Sequence, residues 1–266
     1  MDSALYVFIL FILILISKSF SQSVIQIRPE NHNSIAADLI SAGRKVLRDD
    51  NLYCESWRFS VETNDAGKWI QVPAKCADYV GKYMTGDAYR SDSEFVADDS
   101  LAFAKTVKIA GDGKDAWVFD IDETLLCNVP YYAQHGFGSE VFDETTFDEW
   151  VDLAEAPALP ASFRLYKELK QLGFTIFLLT GRDESERNAT VKNLQNAGYS
   201  NWEKLILRGT SNVGEPAIVY KSEKRKDLEG EGYRIHGSSG DQWSDLLGFA
   251  VATRSFKLPN PMYYIA

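Results

Sequence analysis

The chain predicts an α/β fold: a doubly wound parallel sheet carrying a helical N-terminal extension and a small insertion after the first core strand. Three observations predict it. From about residue 115 short apolar runs alternate with amphipathic helical stretches. Each of the better-defined runs ends in polar or glycine-containing residues, and no internal repeat or long linker interrupts the alternation. Strands buried by helices on both faces produce this pattern, and folds of this class place their sites at the carboxyl ends of the strands. A composition of 45% apolar and 25% charged residues is that of a folded globular chain and excludes a disordered or collagen-like protein.

Charge narrows the function classes. With 28 Lys+Arg against 38 Asp+Glu the net charge is -10, so general attraction to nucleic acid or anionic lipid is excluded and any anionic substrate needs a local site. Three Cys and three His are too few for a zinc scaffold or a dense disulfide framework. The chemistry therefore rests on carboxylates.

Residues 1–21 read as a secretory signal peptide. Ala4 to Ile16 is almost purely apolar and is followed by Ser19 and Ser21, the small side chains that a signal peptidase needs, although Asp2 stands where a basic residue is usual. The apolar run falls short of the roughly 20 residues that a spanning helix requires. No later run is long enough either, so no membrane partner is expected. A destination outside the cell or in the vacuole follows, and both stay open.

Residues 22–114 form the helical extension, with apolar spacing at Ile35, Leu39, Ile40 and Leu47, at Tyr79, Val80, Tyr83 and Met84, and at Phe95 and Leu101 to Phe103. A secreted route permits disulfides. Cys54 and Cys76 lie in a stretch that reads as turns and short strands around Trp57, Phe59, Val61 and Trp69, and we pair them. Closing that loop contributes about 3 kcal/mol in the chain-entropy account. Cys127 is then the odd thiol, either a small buried apolar residue or one half of a different pair.

Residues 115–266 form the core. The expected strands are Trp117 to Ile121, Thr175 to Thr180, Lys204 to Leu207, Tyr233 to His236 and Phe249 to Val251. The expected helices run from about Ala161 to Leu172, from about Glu184 to Ala197 with Gly198 closing it, and from Ser222 to Glu229.

The strand ends carry the chemistry. Asp120 and Asp122 directly follow the first strand, where two carboxylates are costly without a cation or a purpose. Asp120 can face a phosphorus or a metal, and Asp122 can exchange a proton or simply cap the next turn. The second strand ends in Thr180, Gly181 and Arg182, a hydroxyl with a glycine-opened turn leading into a helix whose positive end favours anions. Lys221, at the start of a charged helix, can reach a phosphate, whereas Lys224, Arg225 and Lys226 read as its solvated face. After the fourth strand Gly237 and Gly240 allow a turn into Asp241 and Asp245, hard oxygen ligands suited to Mg2+.

In this order and spacing the four segments resemble the signature of the haloacid dehalogenase superfamily: nucleophile loop, Ser/Thr motif, lysine motif and acidic motif. Phe119 to Thr124 and Gly240 to Leu246, with the leader and the helical extension, look like the plant acid phosphatases related to class B bacterial enzymes and to vegetative storage proteins. The resemblance implies a Mg2+-dependent acid phosphatase. Asp120 would attack phosphorus and form an aspartyl-phosphate, and Asp122 would act as general acid and base. The Asp120 carboxylate, the backbone carbonyl of Asp122 and Asp241 would hold the metal, with Asp245 as a direct ligand or support. Thr180, Gly181 and Lys221 would bind the phosphate oxygens.

About residues 127–160 resemble the small cap of this superfamily. Its Tyr131, Tyr132, Phe137, Phe142, Phe147 and Trp150 can close over an aryl or nucleoside leaving group, or form the cap's own core or a dimer contact. The expected partner is a small phosphomonoester, with a homodimer left open. Asn188, Ala189 and Thr190 form a glycosylation sequon. A vegetative storage protein with weak phosphatase activity is the alternative, since some storage relatives lack the nucleophilic aspartate that is retained here as Asp120. A plain calcium-binding site would leave Thr180 and Lys221 without a role.

Overall fold

The computed structural model describes residues 49–265. The leader expected at residues 1–21 and the helical spacing from Ile35 to Leu47 lie outside the described residues. No helix among the described residues is long and apolar enough to cross a membrane.

Helix α1 (Asp50–Glu62) starts at Asp49, whose carboxylate accepts from the N–H groups of Asn51 and Leu52. Here the expectation of turns and short strands is corrected: the stretch holding Cys54, Trp57, Phe59 and Val61 is helical, with Cys54 and Val61 one helix face inward. Alternate apolar residues over so short a span fit either period, and the Asp49 cap together with packing decides for the helix. Cys54 and Cys76 are joined by a disulfide, Cα to Cα 5.4 Å, and Cys127 is free. Helices α2 (Ala77–Thr85) and α3 (Asp87–Ala104) follow.

The sheet contains β1 (Asp115–Phe119), β2 (Thr175–Asp183), β3 (Lys204–Arg208), β4 (Arg234–Gly240) and β5 (Arg254–Lys257), all parallel, in the order β3-β2-β1-β4-β5. The chain winds outward to β3 and then restarts on the other side of β1. The switch point therefore falls between β1 and β4, where sheets of this kind bind ligands. Alternation along β1 serves two cores: Trp117 and Phe119 pack under α3 and α6 (Pro160–Leu172), while Ala116 and Val118 pack with Tyr220 and Leu228 of α8 (Ala217–Gly230). Between β1 and α6 lie the short α4 (Val129–Tyr132) and α5 (Glu144–Leu153), and α7 (Arg187–Asn196) connects β2 to β3. Tyr131 and Tyr132 of α4 are buried with Cys54, Cys76, Val80 and Met84 of the helical segment.

Four further expectations are corrected. Phe249 to Val251 is an exposed bend, and the fifth strand is Arg254–Lys257, where only Phe256 is buried, stacked on Trp117 at 5.3 Å. An edge strand needs one inward residue in two, so a run of three apolar residues misleads. Gly237 to Gly240 is strand rather than turn. Gly237 leaves room for the Trp117 ring and Gly240 for the Asp245 side chain, each of which a Cβ would meet at under 2.6 Å. Helix α8 begins five residues early, at Ala217, behind Pro216, so Lys221 sits inside it. Arg225, expected on its solvated face, is 1% exposed and donates to the carbonyls of Asp245, Leu247, Phe249 and Ala250. It thereby holds a loop that has no ladder partner.

Candidate active site

Strand β1 delivers Asp120 to the switch point, its N–H bonded to the Ser239 carbonyl of β4 at 3.0 Å. The next turn closes on the Ile121 carbonyl, which accepts from the N–H groups of Thr124, Leu125 and Leu126. Glu123 adopts a left-handed φ of 50° there, a conformation that a non-glycine residue keeps only when its surroundings hold it. Glu123 accepts from Asn128 N at 2.6 Å and from the Tyr263 hydroxyl at 2.5 Å.

Strand β4 delivers Asp241, and the turn after it brings back Asp245, whose Oδ2 accepts from Gln242 N at 2.9 Å. One carboxylate oxygen from each of Asp120, Asp241 and Asp245 lies within 4.8 Å of the others, and all three residues are buried. Lys221, reaching across from α8, donates to Asp120 Oδ1 at 2.6 Å and to Asp245 Oδ1. Of the four lysine and arginine candidates between 221 and 226, Lys221 is the one that meets the acidic cluster. Burial, then the Asp245 charge, drives the Asp120 carboxyl well above its ordinary value, with Lys221 opposing. Burial and Asp245 likewise raise Asp241, to about 6. Burial would lower the Lys221 ammonium, but Asp120 and Asp245 outweigh it and keep the group charged. Three crowded carboxylates with one ammonium form a donor set of hard oxygens, and it fits a small divalent cation.

Asp122 points elsewhere. The Arg182 fork grips it, Nη2 to Oδ1 at 2.6 Å and Nε to Oδ2 at 3.0 Å, and Asn128 Nδ2 adds a bond at 2.8 Å. Burial alone would raise the Asp122 carboxyl, but the Arg182 charge and hydrogen bonds prevail and hold it below its ordinary value. Thr180 is fully buried, its hydroxyl accepting from Arg182 N at 3.1 Å. Gly181 is exposed and lines the cavity, and a Cβ there would meet nothing. Asn188 is exposed on the first turn of α7, whereas Thr190 of the same sequon is buried and accepts from Arg182 Nη1 at 3.1 Å.

A cavity of about 640 Å³ opens over these groups, its floor including Asp120, Asp122, Lys221 and Asp241. Tyr131, Tyr132, Phe142 and Phe147 line it and also pack on one another. Ser244 lines the floor with a buried hydroxyl that has no partner in the protein.

Sequence reasoning gave no role to Arg182, Glu123, Asn128 or Ser244. Arg182 had a signal, since it directly follows Gly181 in a segment expected to carry site residues. The others are legible only once β1, β4 and the C-terminal segment are brought together.

The buried acids set a pH dependence of stability. Burial, with Asp122 and Asp241 adding, raises Glu123 to about 8, and burial raises Glu186 to about 7. An acid raised on folding binds more protons in the folded state between its two values, so its stabilising contribution is full below the unfolded value and is lost as pH rises through the folded one. With divalent metal chelated, urea unfolding is expected to give a folding free energy larger at pH 5 than at pH 8 by on the order of a few kcal/mol. Equal midpoints at the two pH values would show that Glu123 and Glu186 titrate normally.

The chain has relatives among known proteins. The profile of a family described as HAD superfamily, subfamily IIIB (Acid phosphatase), matches residues 41–266. The chain is 54% identical to Acid phosphatase 1 of Solanum lycopersicum over 227 residues, covering 85% of this chain and 89% of that one. It is 40% identical to Vegetative storage protein 2 of Arabidopsis thaliana over 80% of each chain. Among solved structures the class C acid phosphatase from Bacillus anthracis shares the fold at a TM-score of 0.60, with 24% identity over 71% of this chain and 85% of that one.

Proposed function

Since the chain belongs to the subfamily IIIB acid phosphatases of the HAD superfamily, we infer that it hydrolyses small phosphomonoesters at the cavity floor through an aspartyl-phosphate on Asp120. One observation carries this reading: Asp120, Asp241, Asp245 and Lys221 converge at the carboxyl ends of β1 and β4, under a cavity that reaches solvent. A storage protein needs no such convergence, although storage proteins are among its relatives.

Asp120 attacks phosphorus with one carboxylate oxygen, and the bond to the leaving oxygen breaks as the new one forms. Lys221 holds that carboxylate in place and offers its charge to the transferring oxygens, beside the open backbone at Gly181. Thr180, locked against Arg182 N, fixes the end of β2, which runs on to Asp183 where a turn was expected after Thr180. Asp122 supplies the proton to the leaving group and later takes one from the hydrolytic water. Arg182 holds the Asp122 carboxyl below its ordinary value, which suits the base of the second step, so Asp122 must take up a proton before it can act as the acid of the first.

Asp120, Asp241 and Asp245, with the backbone carbonyl of Asp122, would hold Mg2+. The bound cation would neutralise repulsion between an anionic nucleophile and an anionic ester. The leader expected at residues 1–21 and the Cys54–Cys76 bridge support a secretory route to the vacuole or the extracellular space. The aromatic walls suit an aryl or nucleoside group.

The test is phosphate release from p-nitrophenyl phosphate at pH 5, with Mg2+ and then with chelator. Turnover is expected with Mg2+ and should fall at least about a hundredfold on chelation, returning when Mg2+ is restored. A folded, Mg2+-loaded protein that releases no phosphate would make storage the better account.

A further inference from the structure

The C-terminal segment leaves β5 and turns back over the site. Leu258 N bonds to the Gly240 carbonyl at 2.9 Å, setting the next residues beside the Asp241 loop. Asn260, 4% exposed and held between Pro259 and Pro261, donates from Nδ2 to Asp241 Oδ2 at 2.7 Å. Its own Oδ1 accepts from Met262 N at 2.9 Å, which fixes the amide's orientation. Gln242 Nε2 meets the same Asp241 oxygen at 2.7 Å, and Gln242 is gripped by the tail in turn: its Oε1 accepts from Ile265 N at 2.9 Å. Farther along, the Tyr263 hydroxyl reaches Glu123. Met262 is 1% exposed, and its carbonyl lies where a Cβ on Gly138 would be, so the insertion after β1 closes over the segment.

This arrangement has a chemical consequence. Two amide donors occupy Oδ2 of Asp241, while Oδ1 has a single long contact from the Thr124 hydroxyl at 3.4 Å. A buried carboxylate held through one oxygen keeps the other oriented, and a ligand oriented beforehand binds a cation without first having to be ordered. The flanking prolines restrict the backbone of the strap before folding, and Asn260, preceding Pro261, is biased to extended conformations.

We propose that residues 258–265 form a strap in which Asn260 is a positioning residue, setting the Asp241 carboxylate for the divalent cation. This rests on the phosphatase reading of the site. Its test is Mg2+ binding to the purified full chain by isothermal titration calorimetry, comparing wild type with Asn260→Ala and Asn260→Ser. Serine keeps an acceptor for Met262 N but is too short to reach Asp241. Both variants are expected to bind Mg2+ about tenfold more weakly, with kcat at saturating Mg2+ and KM for p-nitrophenyl phosphate within about twofold of wild type. A Mg2+ dissociation constant within about twofold of wild type would overturn the inference, even if the melting temperature fell, because Asn260 would then be merely structural. If the alanine variant does not fold, the serine variant decides. A wild type that binds Mg2+ beside unaffected variants sinks the strap alone, whereas a wild type that binds none sinks the reading of the site as well.

Discussion

Asp120→Asn is expected to lower phosphate release by on the order of 10⁴-fold or more while leaving the fold intact. An amide of the same shape cannot form the acyl-phosphate bond, so the first half-reaction has no nucleophile. Stability should move the other way from activity. Asp120 is buried against Asp245 and Asp241, and removing its charge relieves that repulsion, while Lys221 keeps Asp245 as its partner. With Mg2+ chelated, the melting temperature of the variant should therefore equal or exceed that of wild type, and the rise on adding Mg2+ should shrink because one cation ligand has lost its charge. Phosphate release beside thermal unfolding, each with and without Mg2+, checks both parts. Persistent turnover in the variant would remove Asp120 from its role as nucleophile.

Arg182→Met should have the largest effect on stability. The guanidinium is buried and its fork occupies both oxygens of Asp122, so its loss leaves a largely buried carboxylate with Asn128 as its remaining donor. Removing one partner of such a pair costs about 3–5 kcal/mol. The sign with pH follows from the direction of the shift. In wild type Asp122 lies below its ordinary value, so the pair stabilises the fold above that value, and the stabilisation is lost only as pH falls through the depressed one. In the variant the carboxyl rises and takes up a proton earlier. The stability gap, measured by urea unfolding, should be widest near neutral pH and narrow as the solution is acidified. A gap that does not change with pH would mean that Arg182 acts through packing and its Thr190 bond rather than through the Asp122 charge. Turnover should fall as well, since Asp122 would lose the orientation that lets it exchange protons at the leaving oxygen.

Much of this architecture was legible in the sequence. Trp117 to Ile121 and Thr175 to Thr180 read as strands because runs buried on two faces need no polar alternation, and the helix closed by Gly198 carried its own stop signal. Phe249 to Val251 misread because local hydrophobicity does not say whether a neighbour exists to bury it. Arg225 misread for the same reason: a cation in a charged helix looks solvated until a loop without ladder bonds is folded onto it.

By itself the sequence determined the order of the elements and the identity of the acids, because Asp120 and Asp122 come at the end of an apolar run, and Asp241 and Asp245 follow the glycine-containing stretch after the fourth run. Tertiary structure alone decided how those acids divide. Three gather with Lys221 while Asp122 turns to Arg182 and Asn128, and Asn260 from the far end of the chain fastens Asp241. The physical reason is that strand ends are specified by contacts between near neighbours in the chain, whereas the partner of a buried charge is whichever group the packing of distant segments brings within hydrogen-bond reach.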